Sequence, residues 1–321
     1  MMQWVQEQLK EVLPIGYFHT IFTMSHAFND LVPYNERVLY NAIFEAASTS
    51  LDRLAKQQLK GTLGVTAVLH TWGQNLSRHI HLHCLVTGGA LSLDQTRWIP
   101  CGGTSLFDVY ELSRLLRELF CQRVRKLYSQ NKLVLKYKTA HLSRAETFDQ
   151  FMAKQESIDW VVHCKRPFAG SEKVVEYLGR YSYRVALSNR RITDVTDTQV
   201  TLDYKDYADV DSRDVPKHKE MKVAVATFMD MFLRHVLPKG FRKIRYYGIL
   251  AGSKRAEKLQ QCRTLIQQQT PETLNTEAAE SSPEIIELTT CPDCGAPLKL
   301  QAELEPKRAG PQNAEVLNDV A

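Results

Sequence analysis

A chain of 321 residues with 44% hydrophobic side chains can build one large or two small cored domains, which excludes an intrinsically disordered polypeptide. No apolar run approaches the roughly 18 residues of a membrane span, and the polar start MMQWVQEQLKEVLP lacks the apolar stretch of a signal peptide. The net charge of +5 is uneven: residues 251–321 hold seven Lys and Arg against eleven Asp and Glu, a net −4, which leaves +9 on the preceding body and points to a polyanionic partner. Residues 3–13 have the spacing of a short amphipathic helix ended by Pro14, and 17–24 (YFHTIFTM) alternate like a strand. Val38, Ala42, Leu51, Leu54 and Ala55 recur at three and four, predicting a helix over 34–59. Two strands, 63–72 and 79–87, flank the polar turn GQNLS as an antiparallel hairpin, stopped by Gly88 and Gly89. A loop follows over 92–103, then a helix over 107–127 striped by Leu112, Leu115, Leu116, Leu119 and Val124. A short strand over 159–164 is closed by Pro167 and Gly170, and Ser171 caps a helix reaching about Tyr183. Further strands are expected over 184–188 and 200–204, and a helix over 224–237 is stopped by Pro238 and Gly240. Beyond about Lys258 the composition turns to Gln, Thr, Glu, Ser and Pro, which predicts a flexible acidic tail broken by CPDCG. Strands separated by helices around a central hairpin indicate an α+β protein, most specifically an antiparallel ferredoxin-like sheet with helices on its faces. The expected organisation is a folded body over 1–255 and a tail over 256–321.

The most informative stretch is HIHLHCLVTGG. On a strand, side chains two apart share a face, so His79, His81 and His83 line one side while Ile80, Leu82 and Cys84 fill the other. Neutral imidazoles in a row are metal ligands. The third position is open to His79, to a residue on the hairpin partner such as His70 or Gln74, or to another element. A divalent ion at such a site polarises non-bridging phosphate oxygens and neutralises developing charge. A solvated histidine ladder is the competing reading. Zinc hydrolysis is compatible with the ligands, but the helical His-Glu-x-x-His pattern is absent. His19, His26, His141, His163, His218 and His235 each read as surface or hydrogen-bonded core residues. Seven scattered Cys, mostly within apolar runs, suit a reducing, cytoplasmic compartment.

In YLGRYSYR, Tyr177 and Tyr181 share a helix face at i and i+4, with Cβ atoms about 6 Å apart. Such pairs alone are mostly packing residues. A phenol, with a pKa near 10, becomes a nucleophile when a metal activates the phosphate and cations stabilise the phenolate; Arg180, Arg184 and Lys173 are near in sequence. Together with the histidine strand, the pair indicates an enzyme that cuts single-stranded DNA through a phosphotyrosine. Residues 234–255 hold seven Lys and Arg and no acid, interleaved with Phe241, Tyr246 and Tyr247, a composition suited to single-stranded DNA, with Arg242, Lys243 and Arg245 as contacts. Cys291 and Cys294 form half of a zinc knuckle without a second CxxC. The Gly102–Thr104 stretch lacks the Lys and spacing of a phosphate loop, so no nucleoside triphosphate is expected.

HLHCLVTGGAL, EYLGRYSYRVALSNRRI and LPKGFRKIRYYGIL, with LPIGYFHTIFT and VLHTWGQNL, resemble the two-tyrosine HUH transposases of rolling-circle insertion sequences, the insertion-sequence-91 type, over about residues 8–252. The resemblance implies that His81 and His83 are the metal ligands of an HUH endonuclease fold and that Tyr177 and Tyr181 are the nucleophiles. It implies Mg²⁺ or Mn²⁺ as cofactor and single-stranded DNA at the mobile-element ends as substrate. It further implies a 5′-phosphotyrosine with a free 3′-OH left for the host replication machinery, and a bacterial, nucleoid-associated setting without a membrane partner. Plasmid replication initiators and relaxases share this chemistry, and a non-catalytic DNA-binding remnant is the rival of another class. A Cys/His-rich zinc-binding region that precedes the LPIGYFH block in the family has no counterpart in this sequence.

Overall fold

The computed structural model describes residues 12–101, 105–168, 186–211 and 215–269. The helix expected over 171–183, the CPDCG turn and all but the last two residues of the helix expected over 3–13 lie outside the described residues; those two, Val12 and Leu13, are not helical. In chain order the elements are β1 (Tyr17–Thr23), α1 (Val32–Leu54), β2 (Gly61–Thr62), β3 (Gly64–Trp72), β4 (Arg78–Thr87), β5 (Gly89–Ser92), β6 (Trp98–Pro100), α2 (Val109–Ser129), α3 (Ala145–Ser157), β7 (Val162–Phe168), β8 (Ile192–Val195), β9 (Gln199–Val210), β10 (Pro216–Ala224), α4 (Val225–Leu233), β11 (Ile244–Gly248) and α5 (Arg255–Gln269). The central sheet has the order β11-β3-β4-β1-β7 and every pairing in it is antiparallel. Two smaller sheets, β10-β9-β8 and β2-β5-β6, complete an α+β architecture.

One face of the central sheet builds the core. Ile80, Leu82, Cys84 and Val86 of β4 align with Phe18 and Phe22 of β1 and with Val65, Ala67 and Leu69 of β3, and all pack with Phe44 and Leu51 of α1 and Phe120 of α2. Each fully buried side chain of this size contributes about 1.5–3 kcal/mol, so the alternation of β4 fixes which face meets the helices. α2 starts where Asp108 caps it, its Oδ1 accepting from the Tyr110 and Glu111 amides at 2.8 and 2.9 Å. The expected hairpin forms with His70 opposite His81.

Several expectations needed correction. Gly88 interrupts the chain for one residue only: β5 begins at Gly89, and β6 lies inside the expected loop over 92–103. Buried Trp98 sits against Gly89, where a Cβ would lie 2.5 Å from the indole nitrogen, so this packing holds the short strands together. β7 continues through Pro167, because it is an edge strand and carries a bulge there: the four residues Lys165 to Phe168 oppose the three from Tyr17 to His19. Ala186–Ser188, the described end of the strand expected over 184–188, is not a strand, and Ala186 has a positive φ of 27°. The helix expected over 224–237 ends at Leu233. Residues 256–269, expected within the tail, lie in α5, which buries Leu259, Cys262 and Ile266 against Leu13, Trp98, Ile249 and Leu250; the compact unit runs to Thr270. Among the described residues Cys84, Cys101, Cys121, Cys164 and Cys262 are free thiols.

Candidate metal centre

The face of β4 opposite the core carries the histidines. His81 and His83 project from β4, and the hairpin register sets His70 of β3 beside them. Ring centroids are 4.4 Å apart for His70 and His83, 4.8 Å for His81 and His83, and 5.3 Å for His70 and His81. One ring nitrogen from each of the three lies within 4.8 Å of the others. His70 and His83 are buried, His81 partly so.

The imidazoles are held by partners. The Nδ1 of His81 lies 2.9 Å from the His79 carbonyl and donates to it, leaving Nε2 as the lone-pair nitrogen. His83 Nδ1 lies 2.9 Å from Nε2 of buried His19, which reaches over from β1 with its ring stacked at 10° to that of His83. Burial, reinforced by neighbouring His79, holds His81 down at about 4, and burial also lowers His79. His81 is therefore neutral at physiological pH, as metal binding requires. Three clustered imidazoles, two of them oriented by a hydrogen bond on the other ring nitrogen, fit a divalent cation.

His79 does not join the triad. Its Nδ1 pairs with His26 Nε2 at 2.7 Å at the exposed end of the ladder, and its ring lies 4.9 Å from that of His81. His70, on the hairpin partner, completes the group of three that could hold an ion, while Gln74 lies in the turn with its backbone carbonyl held by Arg191. His19 carried no signal of its own in the sequence, since only the β1–β4 pairing brings it to His83. His235 is a hydrogen-bonded core histidine as expected: it donates from Nε2 to the Leu76 carbonyl at 3.0 Å.

The triad opens into a groove of about 730 Å³, also lined by Trp72, Gln74, Arg191, Lys205 and Tyr207. Its far wall is β9, with exposed Lys205 and Tyr207. Arg191 fastens that wall to the hairpin turn. Its guanidinium donates to the carbonyls of Gln74, of Asp203 at 2.9 Å and of Ala186 at 3.4 Å, and burial lowers its pKa.

Residues 64–258 of the chain match the family described as "Putative transposase" (Y2_Tnp). This chain belongs to that transposase family. It is 39% identical over 300 residues to "Putative transposase y4qJ" of Sinorhizobium fredii, covering 91% of this chain and 74% of that protein. It is 26% identical over 254 residues to "Transposase for insertion sequence element IS801" of Pseudomonas savastanoi pv. phaseolicola, covering 78% of this chain and 58% of that protein. The histidine strand and the basic segment of this transposase-family chain both fall within the matched residues.

The other expected site residues divide. Tyr177, Tyr181, Arg180 and Arg184 lie outside the described residues. Lys243 stands at the rim of the groove, its Nζ 5.4 Å from the Trp72 ring centroid, and Arg242 is exposed. Arg245 is on the opposite, helix-covered side: its guanidinium lies 4.1 Å from the Phe44 ring centroid and donates to Asn41 Oδ1 at 2.5 Å. No described helix is long and apolar enough to cross a membrane.

Proposed function

We propose that residues 1–255 are an HUH-type catalytic domain that nicks and transfers single-stranded DNA at insertion-sequence ends through a 5′-phosphotyrosine. The observation that carries this reading is the His70–His81–His83 triad opening on a groove of about 730 Å³ in a chain of a transposase family. α5 (Arg255–Gln269) packs on this body, and the acidic sequence after it is then an appendage.

A divalent ion, Mg²⁺ or Mn²⁺, supplies polarisation of the scissile phosphate's non-bridging oxygens when bound; an all-imidazole set favours Mn²⁺ of the two. His81 and His83, with His70, would hold it through their ring nitrogens, and His19 and the His79 carbonyl orient them. Tyr177 or Tyr181 attacks phosphorus, a P–O(Tyr) bond forms and the P–O3′ bond breaks. The phenol gives up one proton and the departing 3′ oxygen takes one up. The phosphotyrosine keeps the energy of the broken bond for rejoining, and a second tyrosine permits a second transfer in the same site. Arg180 and Arg184 stabilise the phenolate, Arg242 and Lys243 contact the strand, and host replication extends the free 3′-OH. The protein acts in the bacterial cytoplasm, at the nucleoid.

The test is incubation with labelled single strands carrying the ends of the encoding element, with Mn²⁺ or Mg²⁺. A covalent protein–DNA band that EDTA prevents is expected. The band should vanish in the double variant Tyr177→Phe, Tyr181→Phe, and its persistence there would overturn the nucleophile assignment. His81→Ala with His83→Ala should abolish it while salt-sensitive DNA binding survives. A wild type inert on every strand supports the non-catalytic remnant, and nicking confined to plasmid origins supports an initiator or relaxase.

A further inference from the structure

The helix-covered side of the molecule carries an aromatic and basic surface that the groove does not use. Tyr137 is 79% exposed and Tyr34, at the start of α1, is 45% exposed. Their rings stack with centroids 5.7 Å apart and planes at 24°. Two large rings displayed together to solvent bury little against the protein, and Tyr137 holds this pose with a positive φ of 52°, a conformation disfavoured for an aromatic residue. The surrounding structure enforces it. Asn35 clamps the segment to α1, its Nδ2 donating to the Val134 carbonyl at 2.9 Å and its Oδ1 accepting from the Val134 amide at 2.8 Å. To do so Asn35 leaves the helical conformation inside α1, with φ −133° and ψ 19°.

The segment that carries Tyr137 has charge of one sign. The segment 131–144 (NKLVLKYKTAHLSR) contains Lys132, Lys136, Lys138 and Arg144, all exposed, and no acid. The surface also connects to the groove. One turn along α1 from Tyr34, Arg37 donates to the Lys239 carbonyl at 2.8 Å and lies 5.9 Å from the Phe241 ring centroid. From Phe241 the basic segment continues to Lys243 at the Trp72 rim. Aromatic rings and cations thus alternate from Trp72 and Lys243, through Phe241 and Arg37, to Tyr34 and Tyr137.

We infer that this track binds the single-stranded DNA flanking the cleaved phosphate, with the Tyr34–Tyr137 pair as a base-stacking platform and Lys136 and Lys138 as phosphate contacts. The inference rests on the proposed action on single strands. Cations alone would suit any nucleic acid, but exposed ring faces are useful only to a strand whose bases are unstacked; duplex bases present no free face. The track gives the enzyme a grip on DNA beyond the groove.

The test is fluorescence anisotropy of the full chain, metal-free, with a labelled oligo-dT of about 30 nucleotides and with a duplex of the same length. Tyr34→Ala with Tyr137→Ala should weaken single-strand binding about tenfold and duplex binding less than about twofold. Tyr34→Phe with Tyr137→Phe keeps the ring faces and should bind like wild type, which separates stacking from misfolding. Lys136→Gln with Lys138→Gln should reduce the log–log salt slope on the single strand by about 1.4. No change in the alanine pair, an equal loss on single strand and duplex, or failure of the phenylalanine pair to restore binding would each overturn the inference. Tyrosine-dependent single-strand binding without any covalent band in the nicking assay would uphold the track and overturn the nicking reading.

Discussion

His19 is the residue whose role is most sharply set by its surroundings. It is buried on β1, and its Nε2 faces the one ring nitrogen of His83 that a metal-bound imidazole uses to fix its tautomer. His19→Ala should therefore weaken Mn²⁺ binding about 10–100-fold in a calorimetric titration, although His19 is not itself a ligand; an unchanged affinity would remove it from the site. Acidity acts on the same cluster. Burial lowers His79, His81 and His235, with His81 held at about 4. Unfolded imidazoles take up protons as pH falls below about 6.5, whereas these folded ones resist. Their contribution to stability is complete above that pH and is lost as pH falls toward 4. The urea midpoint of the metal-free protein should drop between pH 7 and 4.5, and a midpoint that rises on acidification would contradict the neutral-imidazole assignment.

At the scale of elements, β4 joins two jobs in ten residues. Leu82→Ala should cost about 2–5 kcal/mol in chemical unfolding because its side chain is fully buried among Phe22, Leu69 and the helices. His81→Ala, the adjacent position on the groove side, should cost far less, and equal costs would mean that the two faces are not distinct. Gly248→Ala should destabilise by more than about 2 kcal/mol in the same experiment: Gly248 ends β11 with φ +63°, and a Cβ there would meet the Leu63 carbonyl oxygen at 1.8 Å. Period-two and period-3.6 patterns made the hairpin, α1 and α2 legible in the sequence, along with His81 and His83. What escaped was set by contacts between distant segments. His19 gained its meaning from strand pairing across 64 residues. β7 passed through Pro167 because an edge bulge needs no amide there. α5 was hidden by a polar composition in which Leu259, Cys262 and Ile266 are buried and Leu265 packs beside them. His79 looked equivalent to its neighbours until His26 claimed it.

At the scale of the whole molecule, the groove is the space between the central sheet and the β8–β9–β10 sheet, and Arg191 bridges the two. Arg191→Ala would leave the carbonyls of Gln74, Asp203 and Ala186 without that donor and should lower stability by about 2–3 kcal/mol, with a matching loss of single-strand affinity. Lost stability with full DNA affinity would mean that the wall formed by β9 does not contact DNA. The +9 body makes that affinity salt-dependent as well.

The back-to-back arrangement of β4 also constrains how its length can change. Positions 80, 82, 84 and 86 belong to the core and 79, 81 and 83 to the histidine row. One residue inserted after His81 reverses the parity of everything on one side of it, so the strand must either bulge or send imidazoles toward the helices and leucines toward water. Two inserted residues preserve the parity. An even step therefore leaves both faces intact, and an odd step that is not absorbed by a bulge disrupts the hydrophobic face and the histidine row together.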